Sequence, residues 1–174
     1  MLDFGKKKNT NADGVRLLAA ILVCFPEIAT VSYEPKDKSL NFTFTLKKTV
    51  TQKDFDELTG YLAENIHTYQ ILEGMGGGFV DFSMEAHDDM AFLHLNRDMA
   101  TMTRGEINVV TTVLRDRLGD ELLTDSNSPD RLETGFSSAQ EELLDKLFDN
   151  IQDVTIVGRL VGVREDNHIV VFDH

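Results

Sequence analysis

Apolar and polar positions along this chain alternate between two periods, and the switches divide it into elements. Residues 11–25 carry Val15, Leu18, Ile21, Leu22 and Phe25 at helical spacing, with Asn11 or Asp13 placed as an N-cap and Pro26 as a stop. The period then drops to two. Ile28 is followed by Val31 and Tyr33 against Thr30, Ser32 and Glu34, and Pro35-Lys36-Asp37-Lys38 reads as a turn. Leu40, Phe42, Phe44 and Leu46 then alternate with Asn41, Thr43 and Thr45. One apolar and one polar face is the pattern of an antiparallel hairpin with a single side in the core.

The passage from helix to hairpin recurs. Thr51-Gln52-Lys53-Asp54 resembles a capping box and opens a helix of about 52–73, with Phe55, Leu58, Leu62, Ile66 and Tyr69 on one face. Val80, Phe82, Met84 and Ala86 then oppose Asp81, Ser83, Glu85 and His87. Asp88-Asp89 is a turn, and Ala91, Leu93 and Leu95 continue the apolar side. Thr103-Arg104-Gly105-Glu106 opens a helix of about 103–122. After a loop, a helix of about 138–151 carries Leu143, Leu144, Leu147, Phe148 and Ile151, and a hairpin of about 153–163 and 168–173 follows.

The predicted fold is therefore α+β: an antiparallel sheet built from helix–hairpin (αββ) repeats at intervals of about 45–60 residues, with helices packed on one face. The expected organisation is a flexible tail over 1–10, an α-ββ-α-ββ-α core over 11–123, a loop over 124–137, and an αββ unit over 138–174 packed in the same domain.

The last hairpin departs from the pattern. Val154, Ile156, Leu160, Ile169 and Val171 alternate with Val157, Val161, Val163, Val170 and Phe172, so both faces are apolar. Such strands are covered on both sides. Either the hairpin is central in the sheet or its second face meets another chain, and Val157, Val161, Val163, Val170 and Phe172 are the candidate interface.

Composition narrows the partners. With 30 acidic and 17 basic residues the net charge is −13, which repels the phosphate backbone of nucleic acid and anionic membranes. The only basic run is Lys6-Lys7-Lys8. The single cysteine, Cys24, lies in the apolar run 17–25, where a buried inert thiol is expected, and the run is too short to span a bilayer. A cytoplasmic protein with no cofactor, no nucleic-acid partner and no membrane partner is expected.

Two motifs invite chemistry. Glu73-Gly74-Met75-Gly76-Gly77-Gly78-Phe79 looks like a phosphate cradle, but phosphate loops run from strand to helix and use the helix N-terminus. Here the order is helix to strand, at the end that repels anions. Gly74 is placed as the left-handed residue closing the helix, and the loop aims the following hairpin. The second motif is on that hairpin. If Asp88-Asp89 is a two-residue turn, His87 pairs with Met90, Glu85 with Phe92, Ser83 with His94 and Asp81 with Asn96. Glu85, His87 and His94 then share a face and are the candidate metal ligands, against a reading in which this is the wet side of a half-buried sheet. No catalytic residues stand out.

Two partial resemblances concern shape. The spacing of Gly158, Leu160, Gly162 and Val163, then Ile169 to Val171, is similar over about 16 residues to the central hairpin of Sm-like RNA-binding proteins. That family's pocket-shaping Asp and Asn fall at Arg164 and His168, so no sites carry over. The α-ββ-α-ββ-α order over about 11–122 is similar to the secretion-chaperone-like fold with one strand missing, which implies dimers that hold a partner segment. The expected function is a non-enzymatic interaction or chaperone-like regulatory module acting as an oligomer, a homodimer first. The alternative is a small-molecule sensor or enzyme with a site between sheet and helices.

Overall fold

The computed structural model describes residues 11–75, 77–125, 134–165 and 168–173. Its elements are α1 (Ala12–Cys24), β1 (Thr30–Glu34), β2 (Ser39–Leu46), α2 (Gln52–Leu72), β3 (Val80–His87), β4 (Met90–Asp98), α3 (Arg104–Leu118), α4 (Thr134–Asp149), β5 (Leu160–Glu165) and β6 (His168–Asp173). Short 3₁₀ turns follow β4, α3 and α4. The strands form one antiparallel sheet in the order β3-β4-β2-β1-β5-β6, and the helices pack on it, an α+β arrangement.

The alternation read from the sequence decides which side is covered. Val31, Tyr33, Leu40, Phe42, Phe44, Leu46, Ala91, Leu93 and Leu95 are all buried, and across the ladders they oppose one another: Val31 with Phe42, Phe42 with Leu95, Phe44 with Leu93. Helix stripes close over this layer through Leu17, Leu18, Ile21 and Leu22 of α1, Leu58, Leu62 and Ile66 of α2, and Ile107, Val110 and Leu114 of α3. Each such side chain contributes about 1.5–3 kcal/mol by leaving water.

Local chemistry sets the element ends. Thr51 and Thr103 each accept a hydrogen bond from the backbone N–H three residues on, at 3.1 and 3.2 Å, satisfying a donor that the helix leaves free. The β3–β4 register is the one a two-residue Asp88-Asp89 turn requires, with Ser83 opposite His94 and Glu85 opposite Phe92. Asp88 has φ 55°, which primed turns need and aspartate tolerates. At the end of α1 the Arg164 guanidinium donates to the carbonyls of Leu22 and Phe25, tying β5 to the helix C-terminus.

The start of the last hairpin is corrected. The alternation predicts strand from about residue 153, whereas 151–153 form a 3₁₀ turn and 154–159 are loop, with Gly158 at φ 76°. Val154 and Ile156 are buried all the same. The Asn11 side chain takes the place of a β partner. Its Oδ1 accepts from the Val157 N–H at 2.8 Å and its Nδ2 donates to the Val157 carbonyl at 3.2 Å. The hairpin lies at one end of the sheet, with β6 as the edge strand, so its apolar second face does not come from a central position. Among the described residues, no helix is long and apolar enough to cross a membrane.

Candidate functional site

The second face of the sheet has no helix on it among the described residues. Period-two alternation places Thr30 and Ser32 of β1, Asn41 and Thr43 of β2, Ser83 and Glu85 of β3, and His94 and Asn96 of β4 side by side there. They form the floor of a shallow concavity of about 450 Å³, with Glu34, Asp37 and Arg159 at its rim and Val161 at one end. Short polar side chains in the middle of a sheet leave the floor low, which is why the surface is concave there.

His94 is tied to the neighbouring strand β2. Its Nδ1 lies 2.9 Å from Thr43 Oγ1, and its Nε2 faces Glu85 Oε2 at 3.6 Å, beyond hydrogen-bond reach. Nε2 has no hydrogen-bond partner, and neither has Asn96 Oδ1. His87 is placed differently. Its side chain is 74% exposed, 4.0 Å from Asp88, and tilted against the Phe92 ring at 6.4 Å between centroids. The structure thus brings Glu85 and His94 together and leaves His87 at the hairpin tip. Among the described residues, no three His, Cys, Asp or Glu side chains converge as metal ligands would.

The apolar candidates fall at the other end of the same face. Val161 pairs with Phe172 and Val163 with Val170 across the β5–β6 ladder, so these four form one cross-strand cluster. Val170 and Phe172 are 40% and 41% exposed. Val157 lies outside the cluster, exposed in the loop before β5.

The polar centre that the sequence reading missed is on the covered side. Arg97 and Glu106 are both completely buried. Arg97 Nε donates to Glu106 Oε2 at 2.5 Å and Nη2 to Oε1 at 2.9 Å, a bidentate pair, while Gln70 donates to Oε1 at 3.0 Å. The rest of the guanidinium reaches the Phe79 carbonyl at 2.9 Å, the Asp98 carboxylate and Thr101 Oγ1 at 3.2 Å. Burial pulls the Arg97 pKa down, but the hydrogen bonds and charges of Glu106 and Asp98 outweigh it and leave it raised. A signal was present. The run Ala91, Leu93, Leu95 has an arginine at its next position, so alternation alone directs Arg97 into the core, where a buried cation requires a buried anion.

This centre also accounts for the glycine loop. Gly74 has φ 67° and closes α2. A Cβ on Gly78 would stand 1.8 Å from Asp98 Oδ1, so only glycine lets the chain pass the carboxylate that holds Arg97. Gly76 lies outside the described residues. Phe79 of this loop offers the ion pair a carbonyl, and Gly78 allows the close approach.

Cys24 of α1 is partly buried, and its thiol is pushed up to about 12 by burial first and then by Glu141 and Asp145, against Arg104. That direction suppresses the reactive thiolate. Comparison with protein-family models, with curated proteins and with solved structures returned no match to this chain.

Proposed function

We propose that this chain is a non-enzymatic protein-interaction module, chaperone-like or regulatory, acting in the cytoplasm as an oligomer, and that the helix-free face of its sheet receives the partner. The observation that carries this reading is the make-up of that face. A polar concavity rimmed by Glu34, Asp37 and Arg159 continues into the apolar cluster Val161, Val163, Val170 and Phe172. Six strands at about 4.8 Å spacing give a surface roughly 24 Å wide, enough to lay an extended segment or a helix across it. The space between helices and sheet is occupied by the hydrophobic core and the Arg97–Glu106 pair, so the outer face is the better place for a ligand.

Site-specific photocrosslinking tests the reading. A photoactivatable residue at Ser32 or Asn41, in the middle of the face, is expected to give discrete adducts with host proteins. The same residue at Glu64, on the exposed side of α2, is expected to give none. Ser32→Arg or Thr43→Arg in a chain carrying the crosslinker at Asn41 is expected to remove the adducts. Equal labelling from Glu64, or none from either face position, refutes the reading.

A small molecule in the same concavity is the second reading. It is favoured by one observation, the unpartnered His94 Nε2 and Asn96 Oδ1 on its floor. A ligand that raises the melting temperature of the parent and leaves a His94→Ala, Asn96→Ala variant unchanged would select it.

A further inference from the structure

The two edges of the sheet, β3 and β6, differ in charge and in exposed apolar surface. Among the described residues β6 hydrogen-bonds only to β5, and its outer N–H and C=O groups have no partner. An uncapped edge is a template for another strand, and edges kept single usually carry charge or proline along the strand. β6 reads His168-Ile169-Val170-Val171-Phe172-Asp173, with no proline and with its one carboxylate, Asp173, at its very end. Apolar groups flank the free edge on both sides of the sheet. Val170 and Phe172 stand exposed on the helix-free face. On the helix side an open groove of about 540 Å³ runs between α1 and β6, lined by Val15, Leu160 and Val171 among others.

Charge selects the occupant. The hairpin stretch 157–173 carries two arginines against three acidic residues, a net −1 in a chain of −13. The opposite hairpin stretch, 79–98, carries one arginine against five acidic residues, a net −4, with Asp81 and Glu85 standing along its edge strand. A basic partner is drawn to the β3 edge. A second copy of this acidic chain is repelled there and meets least repulsion at β6.

We propose that β6 pairs antiparallel with β6 of a second copy about a twofold axis through Val171, joining two six-stranded sheets into one. A twofold axis perpendicular to a sheet keeps each side chain on its own face, so residues that face each other must sum to an even number. Centring on Val171 sets Val170 against Phe172 of the other copy on the helix-free face and Val171 against itself on the helix side. The four side chains extend the Val161–Val163 cluster across the axis, so exposed apolar surface closes on itself. This names the contact of the oligomer in the proposed function, and it uses the strand edge where the partner reading uses the sheet face.

The test is solution mass of the full chain with three variants. The parent is expected at twice the single-chain mass of 19.6 kDa. Val170→Lys with Phe172→Lys sets lysines against lysines across the axis and is expected to give single chains with an unchanged circular-dichroism spectrum. Mixing it with Val170→Glu, Phe172→Glu is expected to restore the double mass, which an unfolded variant cannot do. Val171→Cys is expected to form an interchain disulfide on mild oxidation, because facing Cα atoms in an antiparallel pair lie about 4.5–5.5 Å apart. The parent, with Cys24 alone, is expected to form none. A monomeric parent, a lysine variant that keeps the double mass, a charge-swap mixture that stays single, or a Val171→Cys chain that does not cross-link overturns the proposal. Adducts from the Ser32 crosslinker in the lysine variant would show that the sheet-face reading survives that outcome.

Discussion

Replacing Glu106 by glutamine tests the claim that a buried ion pair organises the glycine loop. The substitution keeps shape and removes one charge from a completely buried pair. For hydrogen-bonded unit charges about 4 Å between centres, an effective dielectric of 20 gives about 4 kcal/mol. Breaking a buried pair from one side costs about 3–5 kcal/mol, because the remaining charge is left uncompensated. Asp98, 19% exposed and bonded to the same guanidinium, offsets part of this, which places the expected loss near the lower end, about 3 kcal/mol. Domains have a total stability on the order of 5–15 kcal/mol, so the change is large, and the melting temperature should fall by about 6–12 °C. The assay is equilibrium urea unfolding at neutral pH with the slope compared between chains. A second arm compares Arg97→Met, Glu106→Leu with its two single variants. The double change should cost at least 1 kcal/mol less than the sum of the singles. A Glu106→Gln chain within about 0.5 kcal/mol of the parent at equal slope would refute the argument.

Two further outcomes follow from the same geometry. Gly78→Ala should destabilise by about 1–3 kcal/mol in urea unfolding, because its Cβ would occupy the place of the Asp98 carboxylate, whereas Gly60→Ala, with open space around it, should not destabilise. For Cys24, a thiol raised from 9.0 to about 12 has about a thousandfold less thiolate at pH 8, so alkylation of the folded chain should be slower than that of the urea-unfolded chain by a comparable factor. Equal rates in the two states would contradict the burial assigned to it.

Much of the architecture was legible because its determinants are local. The alternation of β2 and β4 fixed which side chains enter the core, since neighbours on a strand must point to opposite faces. The two-residue turn at Asp88-Asp89 fixed the β3–β4 register, and with it the approach of His94 to Glu85. Gly74 was readable as a helix closure because a left-handed residue after the last turn favours glycine.

Other features depended on partners far away in the chain. Alternation predicted strand from about residue 153, but at Val157 the Asn11 amide took the place of a β partner, across 146 positions. The run Ala91, Leu93, Leu95, Arg97 announced a buried arginine without saying that Glu106 and Gln70 would meet it. Nothing in the hairpin itself placed β5 beside β1 and left β6 at the edge, because strand order is set by which apolar faces fit together under the helices. The sequence by itself determined the faces, turns and caps, where the interacting groups are a few residues apart. Tertiary structure alone decided strand order, the ion pair behind the glycine loop and the open sheet face, where the energy comes from groups that only folding brings into contact.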